Sequence, residues 1–237
     1  MKKNDFIKGL YGGIPICLGY LSVSFAFGIF SVESGLTVAQ ALLISMTCVT
    51  SAGQLAAVPI IAGGGGLVEL AVSQLVINLR YSLMSISLSQ KFDKAVHTLD
   101  RLAIAFVNTD EVFAVASSQK GNVSKYFMYG LMLTPWLGWA AGTLLGAVAG
   151  NILPAIVTSS LGVAIYGMFI AIVVPEARKS RPTALCAGIA VALSCLFYYV
   201  PMLSQIPSGF TVILCAVAAS LVMALVAPIP QEVNEDA

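Results

Sequence analysis

The chain has 237 residues, of which 58% are hydrophobic and only 10% charged, with a mean hydropathy of +0.92 and a formal net charge of +1. A soluble domain carries roughly 25% charged residues, so this composition excludes an ordinary soluble enzyme and predicts an all-α polytopic membrane protein, a single transmembrane domain over residues 1–237. Near-neutral charge gives no basic field for nucleic acid, and one histidine, His97, excludes a multi-histidine metal site.

Cys17, Cys48, Cys186, Cys195 and Cys215 are scattered through apolar segments without a C-x-x-C pair, and read as small buried hydrophobes. No G-x-x-x-x-G-K-[ST] phosphate loop occurs, and neither a metal nor another cofactor is implied.

In chain order, Lys2, Lys3 and Lys8 precede an uncharged run over residues 9–32. Alone this resembles a signal peptide, but further long apolar segments follow, so it reads as a first span with its basic end in the cytoplasm. Gly12-Gly13-Ile14-Pro15 predicts a kink that faces other helices, because proline frees a carbonyl that lipid cannot satisfy. Residues 36–62 form a second apolar segment with a polar middle, Ser45, Thr47, Thr50, Ser51, Gly53 and Gln54. Such residues serve either as interhelical glue or as a broken helix lining a substrate site. Gly63 to Gly66 end it, being too flexible to continue a helix.

The third segment, residues 67–90, carries Asn78-Leu79-Arg80-Tyr81 past its midpoint. At 1.5 Å per residue Arg80 lies roughly 20 Å along the helix, which calls for a partner. The economical partner is Asp110 or Glu111; snorkelling to the headgroups is the alternative. Those two acids sit in an otherwise apolar run, residues 102–119, where each costs roughly 2.5 to 3.5 kcal/mol at the centre of a span unless paired, wetted or enclosed.

Between these segments the stretch 91–101 holds Lys91, Lys94 and Arg101. If all three preceding segments span, those cations fall outside, against the positive-inside rule. The conflict disappears if 36–62 is a re-entrant hairpin broken at Ser51 to Gln54 and 102–119 another, from the opposite side, broken at Asn108 to Glu111. About six to eight membrane segments then include two broken ones that meet near the midplane as in inverted-repeat transporters. Eight complete spans, with Asp93 and Asp100 offsetting the cations, is the alternative.

Beyond Lys125 an uncharged run over 126–175, divided at 150–154, predicts a helical hairpin. Glu176 to Pro182 is a basic cytoplasmic loop, a second hairpin divides at 201–209, and the tail is acidic. Trp136 and Trp139 suit either an interfacial belt or the core, and Tyr126 and Tyr129 the belt. Gly138, Gly142, Gly146 and Gly150 form a ridge that admits a second helix closely, from this chain or a partner.

Ala26-Phe27-Gly28, Ser51-Ala52-Gly53-Gln54, Asn78-Leu79-Arg80-Tyr81 and Thr109-Asp110-Glu111-Val112-Phe113 resemble, in order and spacing, the motifs of the AzlC family, the large subunit of branched-chain amino acid exporters. The family more often has alanine-serine before the glutamine and histidine after the arginine, where this chain has Ala52-Gly53 and Tyr81. The resemblance implies export of branched-chain or similar hydrophobic amino acids across the cytoplasmic membrane, with a small AzlD-type membrane partner and no catalysis. The candidate substrate-binding residues are Ser51, Gly53, Gln54, Asn78, Arg80, Tyr81, Asn108, Thr109, Asp110, Glu111 and Phe113. Chemically, broken-helix N-termini near Gly53 or Thr109, with Arg80, suit a carboxylate, and Asp110 or Glu111 suits an ammonium or a coupling proton. A channel would use the same parts. A membrane hydrolase at Ser51 or Asp110 lacks a general base or a second aspartate.

Overall fold

The computed structural model describes residues 2–154, 156, 157, 167, 170, 173–175 and 177–227. Helix dominates these residues, and the bridge between extended residues joins Phe92 to Val123. The chain divides into two compact units, Met1–Tyr166 and Gly167–Ala237. In the first, the helices are α1 (Lys2–Glu33), α2 (Val38–Thr47), α3 (Ala52–Ala62), α4 (Leu67–Ile77), α5 (Leu79–Gln90), α6 (Thr98–Phe106), α7 (Asp110–Ser117) and α8 (Lys125–Gly150).

The axis of this unit is the pair α1 and α8. A Cβ on Gly138 would stand 2.9 Å from the Cys17 carbonyl, one on Gly142 2.5 Å from the Leu21 carbonyl, and one on Gly150 3.4 Å from the Ile29 Cα. Both helices advance together, so they run parallel with backbones in contact. The glycine ridge is therefore occupied by α1 of the same chain, of the two occupants that it admitted. In lipid, where no hydrophobic force drives helices together, this close approach supplies the dispersion contact that holds the pair.

Polar contacts at the N-terminal ends of the pair fix the topology. The Ser124 hydroxyl donates to Asp5, Lys125 pairs with Asp100 at 3.0 Å, and extended residues 91–93 exchange backbone hydrogen bonds with Val123. The stretch 91–101 thus lies at the same end as the starts of α1 and α8. Segment 102–119 leaves from that end and returns to it, as the hairpin α6 and α7 with its tip at residues 107–109. At the opposite end Phe27, Leu36 and Val58 cluster with Phe30, Ile44 and Leu55, so α2 and α3 both begin or finish there. Their tip, residues 48–51, reaches the middle of α8, where Trp136 donates to the Met46 carbonyl. That indole satisfies one of the carbonyls left open at the end of α2.

Between the hairpins α4 and α5 run from one end to the other, bent by 47° at Asn78. A span followed by a re-entrant hairpin therefore occurs twice, in opposite directions, which is an inverted repeat. The re-entrant reading replaces the eight-span alternative. Lys3, Lys8, Lys91, Lys94, Arg101, Lys120 and Lys125 lie at one end, and the connections at the other, residues 34–37, 63–66 and 151–154, have no cation.

Both breaks fall earlier than the sequence suggested. Ser51 and Thr109 are the N-caps, so Gly53, Gln54, Asp110 and Glu111 belong to the first turns of α3 and α7. The bend at Asn78 had no proline or glycine to announce it.

In the second unit α9 (Arg181–Tyr199) opens with Ser180 accepting from the Thr183 N–H and Pro182 in its first turn, and a short connection leads to α10 (Ser208–Val226), which packs against it. Both helices are long and apolar enough to cross a membrane, as are α1, α8 and the bent pair α4 and α5. The second limb predicted after residue 154 lies, but for a few residues, outside the described ones, as do Glu176 and the acidic tail.

Candidate functional site

The hairpin tips converge on Tyr20 and Trp139, at the middle of the α1 and α8 pair. Trp139, almost wholly buried, donates from Nε1 to Gln54 Oε1 at 2.8 Å. Its ring meets that of Tyr20 edge to face, with centroids 4.9 Å apart. The Tyr20 hydroxyl in turn donates to Glu111 Oε2 at 2.5 Å. A continuous contact thus runs from the first turn of α3 in one hairpin to the first turn of α7 in the other.

Gln54 is fully buried, and its Nε2 also donates to Ser45 Oγ, itself 2.6 Å from Thr143 Oγ1. Its amide ties the hairpin to α8. Ser51, just before this turn, has φ +47° and ψ −79°, a positive-φ conformation outside the favoured regions that costs a side-chain-bearing residue roughly 1–3 kcal/mol. Such local strain is held by the surrounding packing and is common where a broken helix must turn sharply.

The charged side is built by α5 and α7. Arg80 Nη1 stands 2.8 Å from Asp110 Oδ2, both side chains about half exposed (56% and 46%). The guanidinium also donates to the Tyr81 hydroxyl at 3.1 Å and lies over the Tyr81 ring. Glu111 has no cation within 4 Å among the described residues; its partner is the Tyr20 phenol. Thr109 caps α7 through the Val112 N–H, so two carboxylates occupy the first turn of a helix whose dipole favours negative charge.

The bend in the third span links the two sides. Gln74 donates to the Gly53 carbonyl at 2.8 Å and accepts from Asn78 Nδ2 at 3.1 Å. A Cβ on Gly53 would stand 2.6 Å from Gln74 Oε1, so only glycine lets these amides reach the start of α3. Asn78, instead of capping α5, sends its side chain back along α4, while Arg80, two residues on, reaches Asp110 of the other hairpin with Tyr81 beside it. Asn108 donates to Ser85 at 3.0 Å. The Oδ1 atoms of Asn78 and Asn108 are buried and accept no hydrogen bond from described residues, at a cost of about 1–3 kcal/mol each. Behind Asn108 a largely apolar cavity of about 330 Å³ opens between α5 and α6, lined among others by Leu88, Phe92, Ile104 and Arg101.

Of the residues singled out from sequence, Arg80, Tyr81, Thr109, Asp110 and Glu111 form one cluster, and Gly53 and Asn78 another joined to it through the bend. Ser51 and Gln54 belong to the packing of the first tip, Asn108 to the cavity, and Phe113 packs half-buried on the core. Tyr20, Gln74 and Trp139 were not singled out for the site. Tyr20 had a signal, a polar tip beside Gly19 in an uncharged span; Gln74 and Trp139 take their roles from partners distant in sequence.

Among the described residues no three His, Cys, Asp or Glu side chains are grouped to hold a metal ion. Comparison with protein families matches residues 15–153 to the description "AzlC protein". The chain belongs to the AzlC family. This AzlC-family chain is 31% identical over 195 residues to an uncharacterized membrane protein of Archaeoglobus fulgidus, covering 81% of the chain and 85% of that protein. It is 26% identical to the inner membrane protein YgaZ of Escherichia coli, over 80% of each. To the branched-chain amino acid transport protein AzlC of Bacillus subtilis it is 25% identical, over 84% of the chain and 82% of that protein. No solved structure matches it.

Proposed function

We propose that the chain is a secondary transporter subunit, one transporter domain in the cytoplasmic membrane, exporting branched-chain or similar hydrophobic amino acids with a small AzlD-type membrane partner. The observation that carries this is the meeting of two oppositely directed broken hairpins beside an ion pair and a second carboxylate. Broken helices with open backbone groups near the middle of a membrane protein are tolerated where they line a site, and inverted-repeat transporters build theirs so. The relative named as a branched-chain amino acid transport protein supports the substrate class.

The end of the molecule rich in lysine and arginine is then cytoplasmic. An amino acid enters from the cavity beside Asn108, where Leu88, Phe92 and Ile104 suit an apolar side chain. Arg80 and the start of α7 attract its carboxylate, and the acids at 110 and 111 its ammonium. Arg80 and Asp110 part as cargo arrives, and an acid that takes a proton instead couples export to the proton gradient. The test is counterflow of labelled leucine in proteoliposomes, with and without the co-purifying small subunit. Saturable counterflow competed by isoleucine and valine supports the reading. Flux without saturation indicates a channel, and no flux with the partner present overturns it.

A further inference from the structure

Asp110 and Glu111 are neighbours in sequence, yet their surroundings differ. Asp110 has a guanidinium 2.8 Å away. Glu111 has a neutral phenol. The remaining charged and titratable groups around Glu111 are Arg80 and Tyr81 on α5; α8 presents Trp139, which does not titrate. With Asp110 neutralised by Arg80, Glu111 is the carboxylate whose charge is not balanced by a contact cation.

Its phenol partner is not free to rotate away. Tyr20 is buried, its ring set against that of Trp139, and Trp139 is anchored through Nε1 on Gln54. Gln54 is held by Ser45, and Ser45 by Thr143. An edge-to-face aromatic pair has a preferred geometry, so displacing one ring displaces the other. A hydrogen bond to an ionised carboxylate is about twice as strong as one to a neutral acid.

Building on the transport reading above, we infer that the two acids divide the work. Glu111 takes the cargo ammonium or a proton, and Tyr20 with Trp139 transmits its charge state to Gln54 on the opposite hairpin. When Glu111 takes a proton from water, the Tyr20 hydrogen bond loses its charge assistance; when the cargo ammonium pairs with the still ionised carboxylate, it competes with the phenol for the same oxygens. The phenol ring shifts against the indole, and the bond from Trp139 to Gln54 loosens at the start of α3. Tyr20 and Trp139 are positioning residues: they join the site in one hairpin to the tip of the other, so that both respond to one binding event.

The chain has two tryptophans, so Trp136→Phe leaves Trp139 as the only indole. Its emission is followed in the purified protein, with partner, during separate titrations with leucine and with pH. Both titrations should change the emission. Glu111→Gln should abolish the pH response, and Asp110→Asn should keep it. Tyr20→Phe, which retains the ring, should lose most of both responses, because no hydrogen bond then ties the ring to Glu111. If Trp136→Phe does not fold, the same titrations use the two-tryptophan protein and read the difference made by Tyr20→Phe. A Tyr20→Phe protein that responds as the parent does, a pH response that survives Glu111→Gln, or a parent silent in the pH titration overturns the relay. A parent that ignores leucine, yet has a pH response lost in Glu111→Gln, leaves the relay standing and removes the leucine reading instead.

Discussion

At the scale of single residues, the Arg80 and Asp110 pair decides how an acid can stand in an apolar segment at all. Both side chains are about half exposed, so their attraction is screened, and a double-mutant cycle should give a coupling of about 0.2–1 kcal/mol, not the several kcal/mol of a fully buried pair. Arg80→Ala should destabilise more than Arg80→Ala with Asp110→Asn, as measured by thermal unfolding in detergent; strict additivity would remove the pairing. Asp110→Asn should abolish leucine counterflow with insertion unchanged. Asp100, at the polar end, titrates differently. A hydrogen bond from the Tyr129 hydroxyl, then one from Lys125 and one from the His97 N–H, hold its carboxyl down at about 2. A depressed pKa stabilises the fold above the unfolded value of about 3.9, and that contribution is lost as pH falls toward about 2. Thermal unfolding should therefore show a decline across this window that Asp100→Asn removes.

At the scale of elements, the long helices are held by shape and the short ones by caps. A Cβ on Gly146 would collide with the carbonyl of Phe25, whereas one on Gly19 meets nothing within 4 Å. Gly146→Ala should accordingly lower stability by about 1–3 kcal/mol or more, and Gly19→Ala should be neutral or slightly stabilising. Equal unfolding temperatures for the two variants would show that α1 and α8 are not packed through this ridge. The short helices owe their limits to single residues. Thr37 and Gln40 form a reciprocal capping box at the start of α2, and Thr109 caps α7. The polar residues at 45–54 and 108–111 announced two breaks in the sequence, but not on which residue each helix restarts. An N-cap is a backbone geometry, and several serines and threonines near each break offered the same side chain.

At the scale of the whole molecule, the arrangement of the hairpins predicts accessibility. Residue 98 lies at the end with Lys91, Arg101 and Lys125, which the positive-inside rule assigns to the cytoplasm. Thr98→Cys, in a background without Cys17, Cys48, Cys186, Cys195 and Cys215, should be protected from a membrane-impermeant thiol reagent added outside intact cells. Ready labelling would reverse the orientation or the re-entrant path. Hydropathy and the misplacement of 91–101 were enough for the helical membrane class, the approximate segments and the suspicion of two hairpins, because apolar runs and loop cations are local properties that survive without a fold. The Arg80 partner was also legible, since few acids were available to it. The choice between re-entry and full spans needed the contacts of Asp100 with Lys125 and of residues 91–93 with Val123, which join distant segments. So did the bend at Asn78, the use of the glycine ridge by α1, and the chain of contacts from Gln54 through Trp139 and Tyr20 to Glu111. Each depends on which side chain meets which across helices that the sequence keeps dozens of residues apart, and packing alone decides that.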